Sequence, residues 1–452
     1  KREGDGPTAV NTPLYFTLTT LLSQLVGLSD ATVRLVPALA GVALVASPVL
    51  FRRWLGNAGM LISSLLLAIS PLATLTARTA NGDALTMLAA MGLAAGWLNW
   101  QATGEKRWQT VTAVSLGLGL ATSPLFYTAL VTVGGAWWLT QKWGVGSRES
   151  GETPHTPHPT PYTLLFPTLL TFLTAATLFL WYPAGLGAAA QVAGQWLGQF
   201  GLVGNIADPY LVLLRYELPV LLGLVWGIIS SKNEIRDWRL ESANLHQSPI
   251  PNLQSLLTLW LLLTLILMPL QAGQNSNALL VILPAYLLVG HLGSRLFAQP
   301  LHYLTSWLAG GLVFLAMLAF VNFARYLKLA SINSPALSHL WFTSMGAIIA
   351  VFALYMIWTW GETSAVYQGT VLALLGLFVF YQWGLGWGMA QRWGNDPRER
   401  WVQTATDGDI RLLVQLVQDV SRQGAGSDSD LELFSAVDSP LLRWYLRPFP
   451  RA

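Results

Sequence analysis

The chain has 452 residues, of which 53% are hydrophobic and only 10% are charged. Soluble domains carry about 25% charged residues, and no single globular core of this length hides so much apolar surface behind so few charges, so the composition excludes a soluble protein and predicts a membrane protein. The absence of cysteine excludes disulfides, thiolate zinc sites and iron–sulfur clusters, and the thinly spread net charge of +3 argues against nucleic acid as a partner.

The first predicted element is a short, threonine-rich apolar segment at 13–28. It is too short to cross about 30 Å of hydrocarbon, so we predict an interfacial helix within an outer loop that covers residues 1–32. About twelve apolar runs that are long enough to span the bilayer follow within residues 33–389. These runs are 33–51, 58–76, 83–100, 109–124, 125–141, 163–182, 209–229, 255–271, 277–295, 303–323, 340–360 and 366–389. The predicted fold is an all-α polytopic membrane protein.

Lysine and arginine are shared unequally between the two sets of short loops. Ten lie in one set, namely Arg52, Arg53, Lys106, Arg107, Lys142, Arg148, Lys232, Arg236, Arg239 and Arg295. Six lie in the other set, namely Lys1, Arg2, Arg34, Arg78, Arg325 and Lys328. The positive-inside rule predicts that the first set is cytoplasmic, which places both ends of this chain outside the plasma membrane. We therefore expect a thirteenth helix upstream of Lys1.

The composition changes at about residue 390, because residues 390–452 hold 17 of the 47 charged residues. A strand is predicted at 402–404, and a helix with an apolar face is predicted from Asp409 to the stop signal at Gly424–Gly426. A second strand is predicted at 431–437 and a short helix after Ser439-Pro440. The sequence predicts that residues 390–452 form a small α/β extracytoplasmic domain.

Two ionisable residues flank the predicted outer turn between the second and third spans, namely Arg78 and Asp83. Asn81 and Asp83 can cap the helix that begins there, and the positive end of that helix favours an anion. A phosphate group suits the same field, with Arg78 as a fork-shaped donor. The alternative interpretation is a capped turn with an arginine at the membrane interface.

Arg215 and Glu217 lie near the outer end of another predicted span. Residues two apart on a helix point in different directions, so these two charges do not neutralise each other side by side. At least one of them must meet another helix or a watery cavity. A functional cavity, pairing between helices and snorkelling to the interface all remain open, and Pro219 is expected to bend the helix.

Other candidate residues carry weaker signals. Glu3 and Asp5 offer paired carboxylates for general-base chemistry in an outer loop, although acids between glycines are usually only solvated. No cofactor motif is present. No spacing argues for a metal, but a divalent metal is left open because oxygen ligands exist.

Several segments resemble the GT-C superfamily of polytopic glycosyltransferases, in particular the protein-mannosyltransferase and aminoarabinose-transferase-like branch. The first is NTPLYFTLTTLLSQLVG at 11–27, and the second enters the membrane at Arg34 and leaves it at Arg52-Arg53. The third is the helix pair joined by a Ser-Pro…Arg…Asp turn at 70–83. The segments LLRYELP and DSPLLRWYLR resemble a subgroup called flippase-associated membrane proteins.

The resemblance implies a polyprenyl-phosphate sugar as donor, an acid in the first outer loop that deprotonates the acceptor, and basic residues that hold the phosphate leaving group. Carried onto this chain, it implies that Asp83, Glu217 and, weakly, Asp5 are catalytic. The implied substrate-binding residues are Arg34, Arg78, Arg215 and Tyr216. The family's main acid lies further before the PLY segment than Asp5 does, so it is expected upstream of Lys1 or is absent. The chain also has Gln274, Asn275 and Asn277 where relatives commonly place a basic residue.

Two functional hypotheses follow. The first is a glycosyltransferase that moves a sugar from a polyprenyl-phosphate donor to an acceptor on the outer face of the membrane. The second is a catalytically inactive protein with the same fold that serves as a structural or accessory subunit of a membrane complex. A flippase or transporter is a further alternative. The expected partners are membrane lipids and the lipid-linked donor, and membrane proteins are left open as further partners.

Overall fold

The computed structural model describes residues 12–142, 161–201, 206–229, 253–271, 274–298, 303–331, 337–394, 396, 398–401, 409–434 and 440–449. The chain divides into two compact units, Lys1–Met389 and Ala390–Ala452. The described residues are almost entirely helical. The helices are α1 Pro13–Val26, α2 Asp30–Ala46, α3 Arg52–Ile69, α4 Pro71–Arg78, α5 Asp83–Thr103, α6 Lys106–Leu120, α7 Pro124–Lys142, α8 Pro161–Ala176, α9 Gly185–Gly198, α10 Asp208–Tyr216, α11 Pro219–Ile229, α12 Leu253–Leu267, α13 Ala278–Ala298, α14 Tyr303–Ala330, α15 Leu337–Thr359, α16 Thr363–Gly388, α17 Ile410–Ala425 and α18 Pro440–Tyr445.

A helix lies at each of the twelve predicted spans, and an all-helical multi-pass membrane architecture is therefore confirmed. Within the described residues, six stretches are individually long and apolar enough to cross a bilayer, or seven if α10 and α11 count as one bent span. Part of the difference from twelve is length, because α6 has 15 residues and α8 has 16. The number of twelve spans stays a prediction.

Small residues allow the central helices to pack closely. Where α3 crosses α13, Gly59 faces Gly290, and Ser63 donates hydrogen bonds to the carbonyl oxygens of Gly59 and Tyr286 at 2.9 and 3.0 Å. A Cβ atom on Gly290 would collide with Ser63 Oγ. Close backbone approach through glycine and serine is the usual way in which membrane helices associate, because lipid supplies no hydrophobic force between them.

Two predicted spans are broken. The run 58–76 divides at Ser70 between α3 and α4. The run 209–229 forms two helices, α10 and α11, that meet at an angle of 100°. Helix α10 ends at Tyr216, and Glu217 has non-helical dihedral angles (φ −133°, ψ 55°). The bend expected from Pro219 is present, because proline disfavours helical geometry in the residue before it. Glu217 therefore lies at a break inside the bundle rather than on a continuous helix beside Arg215.

The α/β character predicted for the second unit is not confirmed. Its described residues form helices α17 and α18, as predicted, but residues 431–434 do not form a strand. The Leu431 N–H donates to the buried Ser421 side chain at 3.1 Å, so a side chain takes the place of a neighbouring strand. The strand predicted at 402–404 lies outside the described residues.

Candidate functional site

The predicted outer turn joins α4 to α5. Arg78 is the last residue of α4 and its side chain is exposed, whereas Asp83 begins α5 and is half-buried. Asn81 holds Asp83 from both sides: its Nδ2 donates to the carboxylate at 2.9 Å, and its Oδ1 accepts from the Asp83 backbone N–H at 3.3 Å. Ser123 adds a side-chain hydrogen bond to the carboxylate. The turn thus holds the Asp83 side chain in place and leaves the Arg78 side chain exposed to solvent.

The start of α1 packs against this turn. A Cβ atom on Gly82 would stand 2.9 Å from Thr12, so the glycine allows α1 to begin next to Asp83. The Leu14 N–H donates to the Ala121 carbonyl at 2.7 Å, at the end of α6. Helix α1 therefore begins beside Asp83, on the side of the bundle where α5 begins and α6 ends.

Arg34, the other predicted phosphate ligand on this side, lies on α2 and is exposed. Ser29 caps this helix by accepting the Thr32 N–H at 3.1 Å. Tyr15 of α1 donates to the Val33 carbonyl at 2.9 Å, beside Arg34. Burial raises the pKa of Tyr15, while the positive charge of Arg34 partly opposes that rise. Arg34 is thus held near the start of α1 by a helix cap that belongs to α2 itself.

Glu217 lies in a closed network of uncharged donors. The Ser70 hydroxyl donates to Oε1 at 2.6 Å, and the Leu72 backbone N–H donates to the same atom at 3.0 Å. The Tyr286 hydroxyl donates to Oε2, and Gln382 Nε2 donates to Oε2 at 2.6 Å. Glu217 and the side chains of Ser70, Tyr286 and Gln382 are all 0% exposed. Both oxygens of the carboxylate are occupied inside the bundle.

This network decides among the interpretations of the Arg215–Glu217 pair. Glu217 meets other helices, namely α4, α13 and α16, and it does not line an open cavity. Arg215 is exposed and lies 5.7 Å from the centre of the Tyr216 ring, while Tyr216 is fully buried. Of the three alternatives, pairing between helices describes the surroundings of Glu217, because its oxygens are sealed from solvent by their donors.

Sequence reasoning missed most of the Glu217 partners. Ser70-Pro71 belongs to the segment at 70–83 that carries the family resemblance. No sequence pattern pairs it with Glu217, which is 147 residues further along the chain. Tyr286 and Gln382 were not predicted at all. The only available signal was a polar group within an otherwise apolar run, which implies a buried partner when the run crosses a membrane.

A cavity of about 290 Å³ lies elsewhere, among the three helices α14, α15 and α16. Its walls are leucine, alanine and glycine with Thr370, so it contains none of the predicted site residues. Asp5 and Glu3 lie outside the described residues. Among the residues that the structure describes, no three histidine, aspartate or glutamate side chains are grouped as metal ligands would be.

The described residues form an all-helical, polytopic membrane architecture with a broken α10–α11 span. The structure is similar to the crystal structure of ArnT from Cupriavidus metallidurans bound to undecaprenyl phosphate, with a TM-score of 0.54 and 16% sequence identity. The match covers 97% of this chain and 75% of the ArnT chain. No protein-family model and no curated protein matches the chain. The similarity confirms the coarser prediction of an all-helical polytopic membrane fold.

Proposed function

We propose that this protein is a membrane glycosyltransferase that moves a sugar from a polyprenyl-phosphate donor to an acceptor on the outer face of the plasma membrane. The observation that carries the proposal is the similarity of fold to ArnT, a protein whose structure contains undecaprenyl phosphate, over 97% of this chain. In this proposal the second unit, Ala390–Ala452, is extracytoplasmic.

The outer turn supplies the groups that such a reaction needs. When the bond between sugar and phosphate breaks, negative charge develops on the phosphate, and a cation placed there stabilises the transition state. Arg78 is exposed at the end of α4, and Arg34 is exposed on α2. We assign the donor phosphate to Arg78, with Arg34 as a second cation. Asp83 is held by Asn81 and Ser123 close to where the chain enters α1, which suits an acid that orients the acceptor.

A second candidate function is a catalytically inactive subunit of a membrane assembly. One observation favours it: Glu217, one of the acids that the resemblance implied to be catalytic, is sealed inside the bundle. The glycosyltransferase proposal then depends on Asp83 and on any acid carried by the segment that precedes α1.

Turnover by the purified protein tests the proposal. The full native chain in detergent is incubated with radiolabelled undecaprenyl-phosphate sugars, and release of undecaprenyl phosphate is measured. We expect release by the wild type and a loss of about 100-fold in R78A, which is typical when one donor to a developing oxyanion is removed. The control is R53A, which removes another exposed arginine, at the start of α3 on the predicted cytoplasmic side, and should retain activity.

Two outcomes would contradict the proposal. Equal turnover by R78A and R53A would show that Arg78 does not bind the donor phosphate. No turnover with a broad panel of sugars, together with a membrane protein that co-purifies in a fixed ratio, would favour the accessory subunit.

A further inference from the structure

Two sequence features that are far apart in the chain are joined by hydrogen bonds. Ser70-Pro71 begins α4, and Tyr216-Glu217 ends α10. The Ser70 hydroxyl donates to Glu217, and the Ser70 Oγ atom also accepts the Ala73 N–H at 3.1 Å. Glu217 therefore caps the start of α4 together with the helix's own serine.

Helix α4 depends on this cap for its direction. Ser70 has a non-helical ψ of 121°, and Pro71 follows it, so α4 does not simply continue α3. The helix has 8 residues, which corresponds to a length of about 12 Å. Glu217 holds one end through Ser70 and Leu72, and Arg78 stands at the other end. Whatever orients the first turn of α4 also sets the position of the Arg78 guanidinium.

We infer that Glu217 is a positioning residue that fixes α4 so that Arg78 faces the donor phosphate. The inference rests on the proposed function for the identity of the ligand of Arg78. Glu217 acts from inside the bundle: its exposure is 0%, and both of its oxygens are taken by Ser70, Leu72, Tyr286 and Gln382. It has no free oxygen with which to exchange a proton with a substrate.

Two substitutions of Glu217 separate positioning from acid–base catalysis. E217Q keeps an oxygen that accepts from Ser70 and Leu72, so it keeps the cap of α4, whereas E217L removes the cap. For a positioning residue, we expect E217Q to retain kcat/KM for the lipid donor within about 3-fold and E217L to lose about 100-fold, similar to the loss of the Arg78 contact itself. A loss of 1,000-fold or more in E217Q, with the protein still folded, would overturn the inference, because only a proton-transferring group needs the carboxyl itself.

A double-mutant cycle tests whether Glu217 acts through Arg78. Residues without direct contact normally have additive effects, so R78A should cost about 100-fold in the wild type and less than about 5-fold in the E217L background. R34A is the matched control because Ser29 caps its helix independently of Glu217. We expect its cost to be the same in both backgrounds. An undiminished cost of R78A in E217L would refute positioning.

A measurement without substrate keeps the inference testable if no donor is turned over. The chain has no cysteine, so A80C accepts a single nitroxide label just beyond α4, and K106C accepts one at the start of α6, beyond the far end of α5. We expect E217L to increase the mobility of the label at residue 80 and to leave the mobility of the label at residue 106 unchanged. S70A should cause a smaller increase at residue 80. Equal mobility at residue 80 in the wild type, E217L and S70A would overturn the inference even if the protein proves to be an active glycosyltransferase. The expected increase in a protein without turnover would overturn only the proposed function.

Discussion

The carboxylate of Glu217 is stabilised without a cationic partner in its hydrogen-bond network. Burying an ionised group in an apolar region costs several kcal/mol unless it is hydrogen-bonded. Glu217 receives four hydrogen bonds from uncharged donors, and one of these is a backbone N–H at the positive end of α4. At this scale, the stability of the site depends on keeping all four donors together.

Tyr286 offers a sharp test of this dependence. Y286F removes the hydroxyl that donates to Glu217 and leaves the ring in place, so a buried acceptor loses a partner. We expect a loss of about 1–3 kcal/mol in the free energy of unfolding, the usual cost of an unsatisfied buried polar group. The measurement is thermal or denaturant unfolding in detergent micelles.

Y355F is the matched control, because Tyr355 is 55% exposed and loses the same atom without leaving a buried group unpaired. Equal stability of Y286F and Y355F would show that the network contributes nothing to folding.

The sequence drew attention to individual ionisable residues but did not predict their contacts. Glu217 and Arg78 are ionisable groups at the borders of apolar runs, and that pattern alone draws attention to them. Tyr286 and Gln382 carry no such pattern, and their roles depend on the depth at which α13 and α16 pass Glu217. Such depth is set by packing across the bundle, which local periodicity does not encode.

At the scale of helices, close crossings determine which substitutions the bundle tolerates. Helices α3 and α13 touch through Gly59, Ser63 and Gly290, and this contact holds Tyr286 at the level of Glu217. The positions of the helices were predictable from apolar runs, whereas the break between α10 and α11 was indicated only as a bend at Pro219. The strand predicted at 431–437 failed over its described residues because alternation of apolar residues does not show whether a partner strand exists.

Gly290 and Gly310 form a matched pair for testing the crossing. G290A would place a Cβ atom against Ser63 Oγ, while G310A, on α14, would place one in open space. Overpacking typically costs about 1–3 kcal/mol, whereas alanine in an exposed helix is favourable by up to about 1 kcal/mol relative to glycine. We expect G290A to lower the unfolding temperature and G310A to keep or raise it. Similar behaviour of both variants would show that α3 and α13 do not cross as closely as described.

At the scale of the whole molecule, the proposed function requires the Arg78–Asp83 turn to lie outside. Helix α5 corresponds to one of the twelve predicted spans, and its 21 residues, about 32 Å in length, match the thickness of the hydrocarbon layer. The excess of lysine and arginine near Lys106 predicts that this end is cytoplasmic.

Cysteine labelling tests this orientation directly, because the native chain contains no cysteine. We expect a membrane-impermeant maleimide added to intact cells to modify A80C and to reach K106C only after the cells are opened, since both positions are exposed. Labelling of K106C but not A80C in intact cells would show that the orientation is opposite to the predicted one. It would contradict a reaction at this turn on the outer face of the membrane.

The separation in sequence of the four groups around Glu217 has a consequence for the biogenesis of the protein. During synthesis Ser70 enters the membrane before Glu217, whereas Tyr286 follows 69 residues later and Gln382 follows 165 residues later. Until α13 and α16 are inserted, Oε2 of Glu217 lacks both of the donors it has in the finished bundle. The nascent protein therefore carries an incompletely satisfied carboxyl group through most of its insertion. A chain truncated before α16 would expose the same defect to the membrane quality-control machinery.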